Sequence, residues 1–402
     1  MTLAIDGGTP VRRDPFPAWP YHDDTERAAL IRALEQGQWW RAGGSEVDEF
    51  EREFAEFHGA PAALAVSNGT HALELALELI GLAPGEEVIV PAFTFISTSN
   101  AVARLGGVAV PVDVDTDTYC LDAAQLEAVR TPRTKAVIPV HMAGQIADLD
   151  AIGAWASRHG VTIVQDAAHA HGATWEGKRL GEFGSIACFS FQNGKLMTAG
   201  EGGAVLLPDE AWYEEAFVRH SCGRPIGDRV YAHRTPSSNF RLNEFSGAVL
   251  RAQLVRLAEQ TTRREARWRE LSAALSSIDG IRPQGRDVRC DLNPHYMAMF
   301  TLENDDVDRA LVVEALLAEG IPAFVNYPPV YRTPAFWAGP VHGLPSVEDL
   351  AERCPASEKI GMRGIWLHHR TLLGSSADTA QVATAVAKVL AGIATRRPTR
   401  VR

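Results

Sequence analysis

The chain has 402 residues, 46% of them hydrophobic, and a formal net charge of −11 at pH 7. This size predicts one large domain and a smaller one, and the acidic balance argues against nucleic acid or an anionic membrane as a partner. No apolar run is long enough to predict a membrane span, and the first 13 residues predict no signal peptide. Five scattered cysteines without a CxxC pair predict reduced thiols in a cytoplasmic protein.

Helices and strands are predicted in alternation over the first half of the chain. Residues 1–25, rich in glycine, proline and aromatic residues, predict an arm lying on the body or on a partner subunit. Helices are predicted at 25–36, 46–58, 70–80, 97–105, 122–129, 149–158 and 210–220. Strands are predicted at 87–90, 108–112, 136–141, 161–165, 185–191 and 204–207. This alternation predicts an α/β fold with βαβ units and a mostly parallel sheet.

A long helical pattern at 243–275 follows, and we place a domain boundary within it. The predicted organisation is an arm at 1–25, a large domain at 26–260 and a small domain at 261–402. The small domain is predicted to be α+β, with elements at 295–302 (strand), 307–319 (helix), 321–325 (strand) and 378–393 (helix). The basic end at 396–402 is predicted to be a frayed tail.

Small polar residues mark the start of the helix predicted at 70–80. Ser67 and Asn68 precede Gly69 and Thr70, and apolar residues then recur at helical spacing. A side chain here can simply cap the helix. The same helix start can also bind an anion, because free N–H groups and the helix dipole converge there.

An apolar strand predicted at 161–165 delivers Asp166 to its carboxyl end. A carboxylate at this position can hold a ring nitrogen protonated, or it can cap the following turn. His169 and His171 follow closely, but no convincing third ligand accompanies them, so no metal site is predicted.

A single lysine, Lys195, lies between the strands predicted at 185–191 and 204–207. A lysine in apolar surroundings loses part of its preference for the charged form and can attack a carbonyl, although loop lysines are usually solvated. Phe95, after another strand, is either a core residue or an aromatic face for a flat cofactor.

Taken together, these residues predict a site for one cofactor. Thr70 and Ser190 supply an anion pocket, Phe95 an aromatic face, Asp166 an acid for a ring nitrogen, and Lys195 an amine for a Schiff base. Pyridoxal 5′-phosphate (PLP) requires this combination.

The motifs resemble those of the DegT/DnrJ/EryC1/StrS family of PLP-dependent enzymes. The resemblance is carried by residues 36–40 (QGQWW), 165–172 (QDAAHAHG), 191–203 (FQNGKLMTAGEGG) and 220–225 (HSCGRP). It implies a PLP-dependent transferase fold of type I, with a mostly parallel seven-stranded sheet in the large domain and a small α+β carboxyl-terminal domain. It also implies a homodimer with shared active sites, acting on a small molecule in secondary metabolism.

The resemblance also implies a role for each matching residue. Lys195 would form the Schiff base and move protons, Asp166 would pair with the pyridine nitrogen, and His169 would lie near the ring hydroxyl. The remaining cofactor contacts it implies are Gly69, Thr70, Phe95, Ser190 and, from the partner subunit, Asn239. The substrate contacts it implies are Arg224 from the partner, Tyr327 and Tyr331.

Two activities are compatible with these residues. The first is dehydration and aromatisation of an aminated, carboxylated cyclohexenone, with or without amination of its ketone precursor. The second is transamination of a keto-cyclitol or nucleotide keto-sugar with glutamate or glutamine as donor. The Tyr-Pro-Pro sequence at 327–329 resembles that of family members acting on sugars or cyclitols. A cofactor-binding regulator of DNA is disfavoured by the acidic charge. An inactive partner subunit of a pair is disfavoured by the intact Lys195 and Asp166. A dehydrogenase is disfavoured because no GxGxxG follows the first strand.

Overall fold

The computed structural model describes residues 2–395, and the basic tail predicted at 396–402 lies outside them. The strands, in chain order, are β1 (Ala62–Val66), β2 (Glu87–Pro91), β3 (Val108–Val112), β4 (Thr134–Val137), β5 (Thr162–Asp166), β6 (Thr174–Trp175), β7 (Lys178–Arg179), β8 (Ile186–Ser190), β9 (Gly203–Leu207), β10 (Ile281–Pro283), β11 (Met297–Leu302), β12 (Ala323–Val325) and β13 (Gly364–His368). They form two larger sheets and one short hairpin, β6–β7.

Helices surround and connect these strands. In chain order they are α1 (Asp24–Gln36), α2 (Glu46–His58), α3 (Gly69–Leu79), α4 (Ser97–Arg104), α5 (Leu126–Val129), α6 (Leu149–His159), α7 (Glu210–His220), α8 (Glu244–Leu275), α9 (Arg309–Ala318), α10 (Pro334–Trp337), α11 (Val347–Arg353), α12 (Pro355–Arg363) and α13 (Ser376–Ala394). None of the helices within residues 2–395 has the length and apolar character needed to cross a membrane.

The main sheet has seven strands in the order β1-β9-β8-β5-β4-β2-β3. β9 is antiparallel to both of its neighbours, β1 and β8, and the other pairs are parallel. The predicted mostly parallel seven-stranded sheet is therefore confirmed. Because parallel strands end at the same edge, the segments that follow β2, β4, β5 and β8 converge there.

The helix α3 packs on this sheet through the apolar face that the sequence predicts. Leu73, Ala76 and Leu77 are buried in one core with Val88 and Val164 of the strands. Burying a leucine side chain stabilises the fold by about 1.5–3 kcal/mol. This packing fixes the amino end of α3 beside the carboxyl ends of the strands.

A second sheet, antiparallel and ordered β10-β11-β13-β12, forms a separate core with α9, α13 and the end of α8. Leu3 and Phe16 of the arm are buried in this core, and Arg12 forms an ion pair with Asp378 at 2.5 Å. The arm thus packs on its own chain over this stretch. Helix α8 runs unbroken through the predicted boundary at 260, and the division into domains stays a prediction.

Three element predictions are corrected. Strand β1 was not predicted, and it pairs with β9 from Ala62↔Leu207 to Val66↔Gly203. The strand predicted at 136–141 begins at Thr134 and ends at Val137, since Pro139 has no N–H to continue the ladder. The helix predicted at 122–129 is α-helical only in α5 and begins as a 3-10 turn.

Candidate active site

A cavity of about 790 Å³ opens at the carboxyl edge of the main sheet. Its walls come from the amino end of α3, the segments after β2, β4, β5 and β8, and residues of the second sheet. Eight residues predicted from the sequence line it: Gly69, Thr70, Phe95, Asp166, His169, Ser190, Lys195 and Tyr327. A crevice outside the carboxyl ends of strands is the usual ligand site of an open α/β sheet.

The amino end of α3 forms a tight cradle against β8. Asn68 caps the helix by accepting a hydrogen bond from His71 N at 2.9 Å. A Cβ atom on Gly69 would lie 2.6 Å from Ser190 Cβ, so only glycine allows this approach. Thr70 Oγ1 donates to Ser97 Oγ at 3.0 Å. First-turn N–H groups have no acceptor inside the helix, and the cradle therefore suits a phosphate.

The carboxylate of Asp166 is held at the end of β5. Its Oδ2 accepts from Thr98 Oγ1 at 2.8 Å, and its Oδ1 accepts from Ala168 N at 3.2 Å. Burial raises the pKa of Asp166, against the lowering effect of these hydrogen bonds and of Lys195. A buried carboxyl next to a cavity can accept a hydrogen bond from a protonated ring nitrogen and so stabilise that proton.

The amine of Lys195 reaches the same cavity from the loop between β8 and β9. Burial lowers its pKa to about 8, and the nearby carboxylate of Asp166 opposes that shift. About a tenth of the amine is therefore neutral and nucleophilic at pH 7, far more than for an exposed lysine. The Lys195 backbone N–H donates to Gln192 O at 2.8 Å, which closes a turn within the loop.

An aromatic stack forms one wall beside the lysine. The Tyr296 ring stacks on His169 with centroids 4.3 Å apart, and Lys195 Nζ lies 4.4 Å from the Tyr296 centroid. Burial holds the pKa of His169 well below its usual value, so the imidazole is neutral. Its Nδ1 is buried and has no hydrogen-bond partner among the described residues.

Two further aromatic residues border the cavity mouth. Phe95, in the segment after β2, is 54% exposed there. Tyr327 packs against it edge-on at 6.1 Å and stacks on Phe93 at 5.2 Å. This arrangement leaves an apolar face open to a flat ring.

Three predicted site residues do not line this cavity. Tyr331 is fully buried, and its hydroxyl donates to Glu358 at 2.9 Å. Arg224 lines a different cavity, of about 950 Å³, and its Nε pairs with Asp228 at 2.9 Å. Asn239 is exposed and pairs with Ser221 in an isolated β-bridge.

Sequence reasoning missed Thr98, Tyr296 and Trp366. The sequence does contain a signal for Thr98, because a cluster of hydroxyl residues begins two positions after Phe95. Tyr296, just before β11, and Trp366 of β13 also line the cavity, far from the motifs in sequence. No local pattern distinguishes them from core aromatic residues.

The residues present fit PLP. The cradle of Gly69, Thr70 and Ser190 suits the phosphate of PLP. Asp166 can pair with its ring nitrogen, and Lys195 can react with its aldehyde. The unpartnered Nδ1 of His169 can bind a polar substituent of the ring. Within residues 2–395, no group of three or more His, Cys, Asp or Glu side chains is arranged to hold a metal ion.

The chain belongs to the DegT/DnrJ/EryC1/StrS aminotransferase family, whose model matches residues 21–387. It is accordingly a PLP-dependent enzyme of fold type I.

Within this family, the chain is similar to enzymes of two named activities. The chain is 58% identical to 3-amino-5-hydroxybenzoate synthase of Amycolatopsis mediterranei (strain S699), over 94% of this chain and 97% of that protein. A crystal structure of 3-amino-5-hydroxybenzoic acid (AHBA) synthase superposes with a TM-score of 0.92 at 57% identity, covering 94% of this chain and all of that one. A more distant relative, at 36% identity over 96% of both chains, is the putative L-glutamine:3-amino-2,3-dideoxy-scyllo-inosose aminotransferase of Streptomyces kanamyceticus.

Proposed function

We propose that the chain is an AHBA synthase-like enzyme. It removes water from an aminated, carboxylated cyclohexenone and so forms an aromatic amino acid. The observation that carries the proposal is the meeting of Lys195 and Asp166 in one cavity, in a chain 57% identical to a structure of AHBA synthase.

The bound cofactor would be held by residues of the main sheet and α3. Bound PLP supplies an aldehyde that condenses with amines and a ring that withdraws electrons from the attached carbon. Asp166 would hold the ring nitrogen protonated, and Thr98 fixes the direction of that carboxylate through its 2.8 Å hydrogen bond. Gly69 and Ser190 would receive the phosphate.

Proton transfer is the task of Lys195. The unattached Nζ has a pKa of about 8, and an amine with that pKa would suit proton transfer near neutral pH. With PLP and substrate bound, Nζ would take a proton from a ring carbon of the substrate, and a ring hydroxyl would leave. The proton and the hydroxide together make the water that is lost, and aromaticity drives the step.

The direct test is product analysis. Purified protein loaded with PLP is incubated with an aminated dehydroshikimate, and the product is followed by mass and ultraviolet absorbance. A product lighter by one water, with the absorbance of an aminobenzoate, supports the proposal. Unchanged substrate under conditions where Lys195 binds PLP contradicts it.

A second candidate is transamination of a keto-cyclitol, favoured by the 36% identity to a named glutamine-dependent aminotransferase. Incubation with L-glutamine alone separates the two functions. Formation of pyridoxamine phosphate supports transamination, and its absence counts against transamination with this donor.

We also propose a homodimer with shared sites. Residues 221–239 form a loop whose ends are joined by the Ser221–Asn239 bridge, and this loop carries Arg224 away from its own chain's cavity. In the proposed dimer Asn239 reaches the partner's phosphate and Arg224 the substrate carboxylate, for which a planar guanidinium is suited.

Mixing two inactive variants tests this dimer. Lys195→Ala and Arg224→Ala are each expected to be inactive, whereas a mixture that has exchanged subunits regains up to about a quarter of wild-type activity, because half the dimers are mixed and each has one intact site. No recovery after subunit exchange would show that Lys195 and Arg224 serve the same chain's site.

A cytoplasmic location and a role in secondary metabolism complete the proposal. All five cysteines are free thiols, four of them buried, which supports a reducing compartment. The motif resemblance supports the metabolic role.

A further inference from the structure

Two side chains from outside the β8–β9 loop hold the peptides that directly precede Lys195. Trp19 Nε1 donates to Asn193 O at 3.0 Å, and His369 Nε2 bonds Gly194 O at 3.1 Å. Because a carbonyl oxygen only accepts, Nε2 of His369 carries the hydrogen. The two carbonyls before the lysine are therefore both anchored.

The two anchoring side chains also support each other. The Trp19 and His369 rings pack edge-to-face, 4.5 Å apart with an interplanar angle of 86°. The fully buried guanidinium of Arg264 lies 5.5 Å from the Trp19 ring and favours its position by a cation–π contact. Burial, reinforced by Arg264, keeps the pKa of His369 well below its usual value.

Both anchors belong to parts of the chain outside the main sheet. His369 follows β13 of the second sheet. Trp19 lies in the arm. Glu319, at the end of α9, holds the arm by accepting hydrogen bonds from Ala4 N and Val11 N, both at 2.9 Å. The arm and the second sheet thus reach the lysine loop of the main sheet through two hydrogen bonds.

We propose that Trp19 and His369 are positioning residues that set the direction in which Lys195 enters the cavity. The inference rests on Lys195 being the amine that binds the cofactor. Rotation of the 193–194 peptides would swing the lysine away from Asp166, and misplacement by about 1 Å costs catalysis about 100-fold. The arm then helps to hold the active-site lysine in place through Trp19.

Hydrogen exchange on the cofactor-free protein tests the anchoring itself. Trp19→Phe keeps an aromatic ring but loses the donor. The Lys195 amide, bonded to Gln192 O, is expected to exchange about two- to tenfold faster, as for the loss of one hydrogen bond. The matched control is Trp39→Phe, since Trp39 Nε1 also donates to a backbone carbonyl, that of Leu34 at 3.4 Å. Equal exchange in both variants would overturn the proposal.

Kinetics test the consequence for the reaction. Trp19→Phe and His369→Leu are expected to lower kcat at least fivefold with little change in KM, and His369→Gln, which restores an N–H donor, is expected to recover part of the loss. A KM effect alone, or no rescue by glutamine, would overturn positioning. Activity retained by Lys195→Ala would instead refute the proposed function and leave the exchange result standing.

Discussion

Lys195 Nζ lies 4.4 Å from the centroid of the Tyr296 ring, which itself stacks on His169. The electron-rich face of the ring favours the ammonium form, whereas burial favours the neutral amine. Burial has the larger effect, because the pKa of Lys195 falls to about 8. The lysine is therefore expected to titrate near pH 8.

The titration of Lys195 can be measured in the cofactor-free protein. Only the neutral amine reacts with an arylating reagent, so labelling of the Lys195 peptide is expected to be half-maximal near pH 8. Exposed lysines in the same sample should reach that point near pH 10.4. Peptide mass spectrometry measures the labelling of Lys195 and of the exposed lysines at each pH. Equal labelling midpoints for the two would contradict a lowered pKa at Lys195.

Replacing Tyr296 tests the aromatic contribution. Tyr296→Leu removes the ring that favours the charged amine, so the labelling midpoint of Lys195 is expected to move to lower pH. Tyr296→Phe keeps the ring and is the matched control, with a midpoint close to wild type. A shift in the phenylalanine variant as large as that in the leucine variant would rule out the ring contact as the cause.

The carboxylate of Asp166 is expected to lower the stability of the cofactor-free protein while being required for activity. Burial raises its pKa above the unfolded value, so its negative charge destabilises the cofactor-free fold at neutral pH, and this cost disappears as the pH falls below the unfolded pKa. Asp166→Asn without cofactor is therefore expected to melt above wild type at pH 8.

The difference in Tm between Asp166→Asn and wild type should shrink towards pH 4. The activity of Asp166→Asn with PLP should be about 100-fold or more below wild type, because the ring nitrogen loses its anionic partner. Calorimetry across pH and steady-state rates check both. An asparagine variant that melts below wild type at pH 8 would mean that the carboxylate stabilises the empty site.

The sequence predicted the elements of the main sheet because buried parallel strands are continuous apolar runs between helices. Strand β1 was missed because its alanine-rich run fits a helix equally well, and pairing with β9 decides its state. Asp166 and Lys195 were predictable from their places at strand ends. Tyr296 and Trp19 were not, since a hundred or more residues separate each from Lys195 and only the tertiary fold brings them together.

The cradle at Gly69 predicts a sharp steric effect. Gly69→Ala places a Cβ 2.6 Å from Ser190 Cβ, so β8 and α3 must separate, and PLP affinity is expected to fall about tenfold or more. The control is Gly153→Ala in α6, where the added Cβ would meet no atom within 4 Å beyond its chain neighbours and the backbone of its own helix. That variant should keep its PLP affinity and gain about 0.5–1 kcal/mol of stability. The PLP affinity of each variant is measured by spectroscopic titration. Equal PLP affinities of Gly69→Ala and wild type would show that the cradle does not receive the cofactor.

Borohydride trapping tests the central claim most directly. The PLP-loaded protein is reduced, digested and mapped by mass spectrometry, with Lys195→Ala treated in parallel. The phosphopyridoxyl label is expected on the peptide that contains Lys195 and is expected to be absent from the alanine variant, which should remain folded and lose turnover. A label on another lysine, or full turnover without the Lys195 amine, would contradict the account.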